Sequence, residues 1–221
     1  MKQRYVSDPD FTFDILRGLA RYTGSGLIGA LAEAITRHPY HNLSQALGHR
    51  QIRSKTWLRD NLFATLGGIF ERVWIVGGWY GVLAAILFDD DRFSIGEIVS
   101  IDLDPDCAPV ASTLNNGRAL DGSFSARTAD MHAISYNGTG QPSLVINCSC
   151  EHIPDLGRWL ALIPKGMAVV LQSNDYITEP EHINCVRSLE EFERQASLSA
   201  LLFSGAYDTG KYTRYMLIGR R

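Results

Sequence analysis

From residue 73 onward, short apolar runs alternate with amphipathic stretches. Runs at 73–76, 97–101, 124–128, 144–146 and 167–172 are β-branched or apolar and bounded by turn residues, so each predicts a strand. The intervening stretches have helical spacing, a rhythm that predicts a parallel sheet with helical crossovers. Two final runs, 200–207 and 212–218, flank Asp208-Thr209-Gly210-Lys211, a tight-turn sequence, and predict an antiparallel hairpin. Before residue 73 the pattern is helical. Phe11, Ile15, Leu16, Leu19 and Ala20 share one face, and Leu27, Ala30, Leu31, Ala34 and Ile35 share another. Thr23-Gly24-Ser25-Gly26 separates these helices, His38-Pro39-Tyr40 ends the second, and Asn42 or Ser44 suits the cap of a third. A fourth helix is predicted over 54–70, with Trp57, Leu58, Leu62, Leu66 and Ile69 on one side. The expected architecture is therefore α/β. Residues 1–72 form a helical N-terminal cap, and residues 73–221 form a mostly parallel sheet closed by a C-terminal antiparallel hairpin.

Composition narrows the class. The 221 residues suit one domain with an N-terminal extension, and 45% apolar with 20% charged residues is the balance of a globular chain. A net charge of −3 gives no global field toward nucleic acid or membrane. No apolar run approaches the roughly 20 residues of a membrane span, and residues 1–14 carry no apolar signal core. The expected compartment is the cytoplasm, where Cys107, Cys148, Cys150 and Cys185 stay reduced. Cys148-Ser149-Cys150 is too tight for the usual zinc spacing, and no metal site is expected.

The densest chemical signal is Val73-Trp74-Ile75-Val76-Gly77-Gly78-Trp79-Tyr80-Gly81, followed by a helical run and then Ile101-Asp102, with Asp102 21 positions after Gly81. Glycines at a strand-to-helix turn allow positive φ and close backbone approach, and a carboxylate ending the next strand accepts hydrogen bonds from a ribose diol. This layout points to a nucleoside site; its bland alternative is a structural turn beside a solvated acid.

In this order of motifs the chain resembles the class I S-adenosylmethionine (SAM)-dependent methyltransferases over roughly residues 73–221. The glycine turn is similar to the family's first motif, except that apolar Ile75 stands where an acid is usual. Ile101-Asp102-Leu103-Asp104-Pro105-Asp106 looks like the second motif, and Thr128-Ala129-Asp130-Met131 like the third. Val145-Ile146-Asn147-Cys148-Ser149-Cys150-Glu151-His152 occupies the fourth, and Leu162-Ile163-Pro164-Lys165-Gly166-Met167 resembles the turn into the fifth strand. The resemblance implies a Rossmann-like methyltransferase fold with SAM as cofactor. It places Gly77, Gly78, Trp79 and Tyr80 at the cofactor, Asp102 with Leu103 on the ribose, Asp130 with Met131 at the adenine, and Asn147 near the methyl.

The fourth motif departs from the proline-containing signatures of base methyltransferases, because Cys148-Ser149-Cys150 stands there. Asn147, Glu151, His152 and Cys150 are the candidate catalytic residues. Asn147 can orient an acceptor, His152 suits a base, and a Cys150 thiolate could act as a nucleophile. Direct methyl transfer is the favoured route. Ser173, Asn174 and Asp175 end the fifth strand, where they suit either substrate or turn chemistry. Glu181-His182-Ile183 repeats the Glu-His-Ile of 151–153, and both copies fall in loops near the expected mouth. Between Glu33 and Asp60 the chain has no acid but carries Arg37, Arg50, Arg53, Lys55 and Arg59. Arg53 and Lys55 are candidates for an anionic acceptor; the competing reading pairs these charges with Asp89, Asp90 and Asp91. The expected acceptor is a small or nucleotide-like molecule, and a polynucleotide is not favoured. Aminocarboxypropyl transfer, or a catalytically silent SAM-fold subunit, are the alternatives. An NAD-linked dehydrogenase is weaker, since the turn lacks G-x-G-x-x-G.

Overall fold

The computed structural model describes residues 9–39 and 41–221, without the side chains of Pro9 and Asp10. Tyr40, part of the predicted helix stop, lies outside the described residues. Four helices come first: α1 (Pro9–Thr23), α2 (Gly26–Arg37), α3 (Leu43–Ala46) and α4 (His49–Leu66). The caps follow the sequence. Ser25 accepts from the Ile28 N–H to start α2, and Asn42 accepts from the Gln45 N–H to start α3. The predicted fourth helix is displaced. It begins at His49 and stops at Leu66, where Gly67 takes φ of 77°, a conformation that favours glycine. Ile69 and Phe70, predicted as helix, open the first strand instead.

Next come β1 (Ile69–Val76), α5 (Val82–Phe88), β2 (Ser94–Asp102), α6 (Cys107–Leu114), α7 (Asn116–Leu120), β3 (Phe124–Thr128) and β4 (Leu144–Asn147). A 3-10 turn at Cys150–His152, α8 (Leu156–Leu160), β5 (Ala168–Asn174), α9 (Leu189–Ala196), β6 (Ala200–Asp208) and β7 (Thr213–Arg220) complete the chain. The seven strands lie in the order β3-β2-β1-β4-β5-β7-β6. β1 to β5 run parallel, and β7 pairs antiparallel with both β5 and β6.

Strand periodicity divides the core into two layers, because successive side chains point to opposite faces. Trp74, Val76, Val99, Ile101, Val145 and Val169 pack with Trp159 and Phe192 on one face. Val73, Ile75, Ile98, Leu144, Ile146 and Val170 pack on the other with Leu83 and Leu87 of α5. Leu58 and Leu62 of α4 are fully buried in this second layer. The C-terminal half of α4 thus covers the sheet face itself, while α1 packs on α2 and α2 on α6. All five parallel strands aim their C-terminal ends at one edge, and the loops after β1, β2, β4 and β5 converge there.

Candidate active site

At that edge lies a cavity of about 940 Å³. Its walls come from the glycine turn after β1, from Asp102, from Cys148, Ser149, Glu151 and His152 after β4, from Asn174 at the end of β5, and from Tyr176 and His182 beyond it. Lys211, Tyr212 and Arg214 of the hairpin and His49, Arg50, Gln51 and Lys55 of α4 close it.

The glycine turn is tightly determined. The N–H groups of Gly77 and Gly78 both donate to the Ile101 carbonyl, at 2.9 and 3.0 Å. A Cβ on Gly78 would overlap Ser100 Oγ, and one on Gly81 would fall 2.7 Å from Asn115 Nδ2. Trp79 takes φ of 48°, a strained conformation for a residue with a Cβ. Its N–H donates to Asp102 Oδ2 at 2.7 Å, and its ring stacks on Tyr80 at 4.9 Å. Asp102 Oδ1 accepts from the Asp104 N–H at 3.1 Å. Each carboxylate oxygen therefore holds one backbone donor and keeps further lone-pair sites beside the cavity.

Beyond β4, Asn147 is buried behind the turn, where its Oδ1 accepts from the Ser149 N–H at 2.7 Å. It shapes the loop rather than the cavity wall. Glu151 is buried and ion-paired to Arg214 at 2.8 Å. Glu151 Oε1 also accepts from Asn174 Nδ2 at 2.6 Å, and Arg214 donates to the Cys148 carbonyl. Arg214 was not singled out in the sequence, yet a lone arginine at the head of an apolar strand signals a buried partner. Lys55 meets this cluster from α4. Its ammonium donates to Gln51 Oε1 at 2.7 Å, and burial pulls its pKa down to about 8, with Arg214 adding to the fall.

Several sequence candidates lie elsewhere. Cys150 is fully buried among Ile153, Leu156 and Trp159, and burial pushes its thiol well above the ordinary range. A buried neutral thiol is inert, which corrects the nucleophile reading. Ser173 is buried off the cavity, and Asp175 accepts from the Thr213 N–H at 2.7 Å to hold the hairpin. Arg53 is spent on the outside, its guanidinium 5.2 Å over the Tyr207 ring. Asp130 is exposed and accepts from the His132 N–H at 2.8 Å; it and Met131 stand off the cavity wall, as does exposed Leu103. The basic stretch before residue 60 divides. Arg37 pairs with Glu33 at 2.6 Å and Arg59 with Asp90 at 3.0 Å, while Arg50 and Lys55 face the cavity.

Strand order, hairpin and site edge together define the Rossmann-like fold of the class I SAM-dependent methyltransferases. No family model matches the chain, and no curated protein sequence matches it. Solved structures do. The N-methyltransferase NodS from Bradyrhizobium japonicum WM9, in complex with S-adenosylhomocysteine (SAH), superposes with a TM-score of 0.61 at 11% identity, covering 86% of this chain and 97% of its own. Geranyl diphosphate C-methyltransferase from Streptomyces coelicolor A3(2), in complex with Mg2+, geranyl diphosphate and SAH, gives 0.59 at 13% identity, covering 83% and 87%. An O-methyltransferase family protein from Burkholderia thailandensis gives 0.52 at 18% identity, covering 92% and 62%. At these identities the likeness is one of fold.

Proposed function

We propose that this protein is a SAM-dependent methyltransferase acting on a small or nucleotide-like acceptor that carries an anionic group. The observation that carries the reading is the unit of Asp102 and the strained glycine turn. The carboxylate and the strained Trp79 backbone hold each other, and both open on the cavity at the strand C-terminal edge. The residues fit the cofactor. Asp102 keeps lone pairs for a ribose diol, worth about 1.5–3 kcal/mol as charge-assisted bonds. Gly77 and Gly78 leave a wall without side chains, over which an amino-acid tail can lie. When bound, SAM supplies an electrophilic methyl group on its sulfonium.

The rest of the cavity belongs to the acceptor. Arg50, Lys55 and Lys211 bring positive charge to its wall, which suits a carboxylate or phosphate. Buried Glu151 and exposed His152 follow β4 on the wall of the same space. Methyl transfer is an in-line displacement, so this chain's main contribution is to hold acceptor and donor in line and to exclude water.

The products test this reading. Purified protein is incubated with SAM and a panel of anionic small molecules, and the nucleoside products are resolved by mass spectrometry. SAH formed in step with a methylated acceptor is the expected outcome. Methylthioadenosine as the product would overturn it in favour of aminocarboxypropyl transfer.

A further inference from the structure

His152 and His182 come from different loops, yet their rings meet edge to face with centroids 4.8 Å apart. Both rings are oriented in the same way. Nδ1 of His152 lies 3.0 Å from the Glu181 carbonyl oxygen, and Nδ1 of His182 lies 2.9 Å from that of Tyr176. A carbonyl only accepts, so Nδ1 carries the proton of each neutral ring and each Nε2 keeps its lone pair. Histidines that bind metals are held in this manner, with the second nitrogen donating to a carbonyl or carboxylate. Glu151 supplies an independent sign. It is 3% exposed, and Asn174 and Arg214 both bond to Oε1, while Oε2 is buried with no hydrogen-bond partner. A buried carboxylate oxygen calls for a partner. One donor atom from each of Glu151, His152 and His182 lies within 4.8 Å of the others.

We propose that Glu151, His152 and His182 bind a divalent transition-metal ion at the acceptor end of the cavity. Two imidazoles and one carboxylate suit Zn2+, Co2+ or Fe2+, whereas Mg2+ and Ca2+ take oxygen ligands. Three protein ligands leave coordination positions open, and because all three residues line the cavity those positions face it. Arg214 and Asn174 are both on Oε1, which leaves Oε2 as the oxygen open to an ion. Glu179 and Glu181 add two further carboxylates to the same wall. The repeated Glu-His-Ile gains a physical sense. The first copy gives a carboxylate and an imidazole; the second gives an imidazole and the carbonyl that orients its counterpart. This set contains no cysteine, so the cysteine spacing that argues against zinc does not bear on it.

The inference rests on side-chain geometry and deepens the acceptor half of the proposed methyltransferase. Its test needs neither SAM nor an acceptor. Full-length protein, stripped with a chelator, is titrated with CoCl2 and ZnCl2 by calorimetry, and the Co2+ visible spectrum is recorded. One ion per chain is expected, with ligand-field bands of a low-coordinate nitrogen and oxygen site. His152→Ala and His182→Ala should each weaken binding by about 100-fold or more. His49→Ala, on the same cavity but outside the set, should bind as the wild type does. Lack of uptake by the wild type would overturn the proposal, as would His152→Ala and His182→Ala both binding like the wild type. Thermal melts show that the variants are folded, and SAH titration of the same samples reports the cofactor half separately. Metal binding without SAH binding would refute the methyltransferase reading and leave the metal site standing. The converse would do the opposite.

Discussion

Lys55 faces the cavity beside Arg214, and its ammonium pays for that position through lost hydration, which lowers its pKa from 10.5 to about 8. The sign of the stability effect follows from proton linkage. Below pH 8 the lysine is charged in both states and the folded protein carries the full penalty; above 10.5 it is neutral in both and the penalty is gone. Lys55→Met should therefore be more stable than the wild type at pH 7, and the gain should shrink as pH rises from 8 to 10.5. Urea unfolding of both proteins across that range checks this, and a gain that grows with pH would contradict it. At this scale the sequence was partly legible. The position of Asp102 was readable because a strand end facing a glycine turn needs only local sequence to define it. Cys150 was not, because it lies past the strand in the 3-10 turn, and the turn's conformation, which sequence spacing does not fix, sends its side chain into the core. The split between Arg53 and Lys55 has the same cause on a helix, where two positions turn a side chain to the far face.

At the scale of elements, the loop after β4 is locked to the hairpin by Glu151 and Arg214, with Asn174 of β5 as the third member. Removing one member of a buried pair leaves the other charge uncompensated and costs about 3–5 kcal/mol. Arg214→Met should fall in that range by chemical denaturation, and the double change with Glu151→Gln should recover part of the loss. A double variant as unstable as the two single changes summed would show that the pair is not coupled. The strands themselves were legible, since buried parallel strands read as continuous apolar runs. The fourth helix was misplaced because Ile69 continues the helical spacing of Leu62 and Leu66. Gly67-Gly68 was the competing signal, and it prevails: Gly67 has positive φ, and a Cβ on Gly68 would collide with the Arg92 carbonyl. The convergence of 152 and 182 was visible only as a repeated tripeptide, because contact between two loops depends on the sheet that brings them together.

For the whole molecule, the helical region and the sheet form one packing unit. Leu58 and Leu62 fill the layer that Val73, Ile75, Leu144 and Ile146 present. A 73–221 fragment should therefore lack a cooperative melt, and proteolysis that releases a folded, active 73–221 core would contradict this. The same helix delivers Arg50 and Lys55 to the cavity, so the acceptor half also depends on it. In the proposed methyltransferase, the strand C-terminal edge organised by Asp102 holds SAM. This is checked by calorimetric titration of SAH into the wild type and Asp102→Ala. Saturable binding of one SAH per chain, lost in a variant that still melts cooperatively, is the expected result. Equal affinity in the two proteins, or no binding to the wild type, would contradict the account.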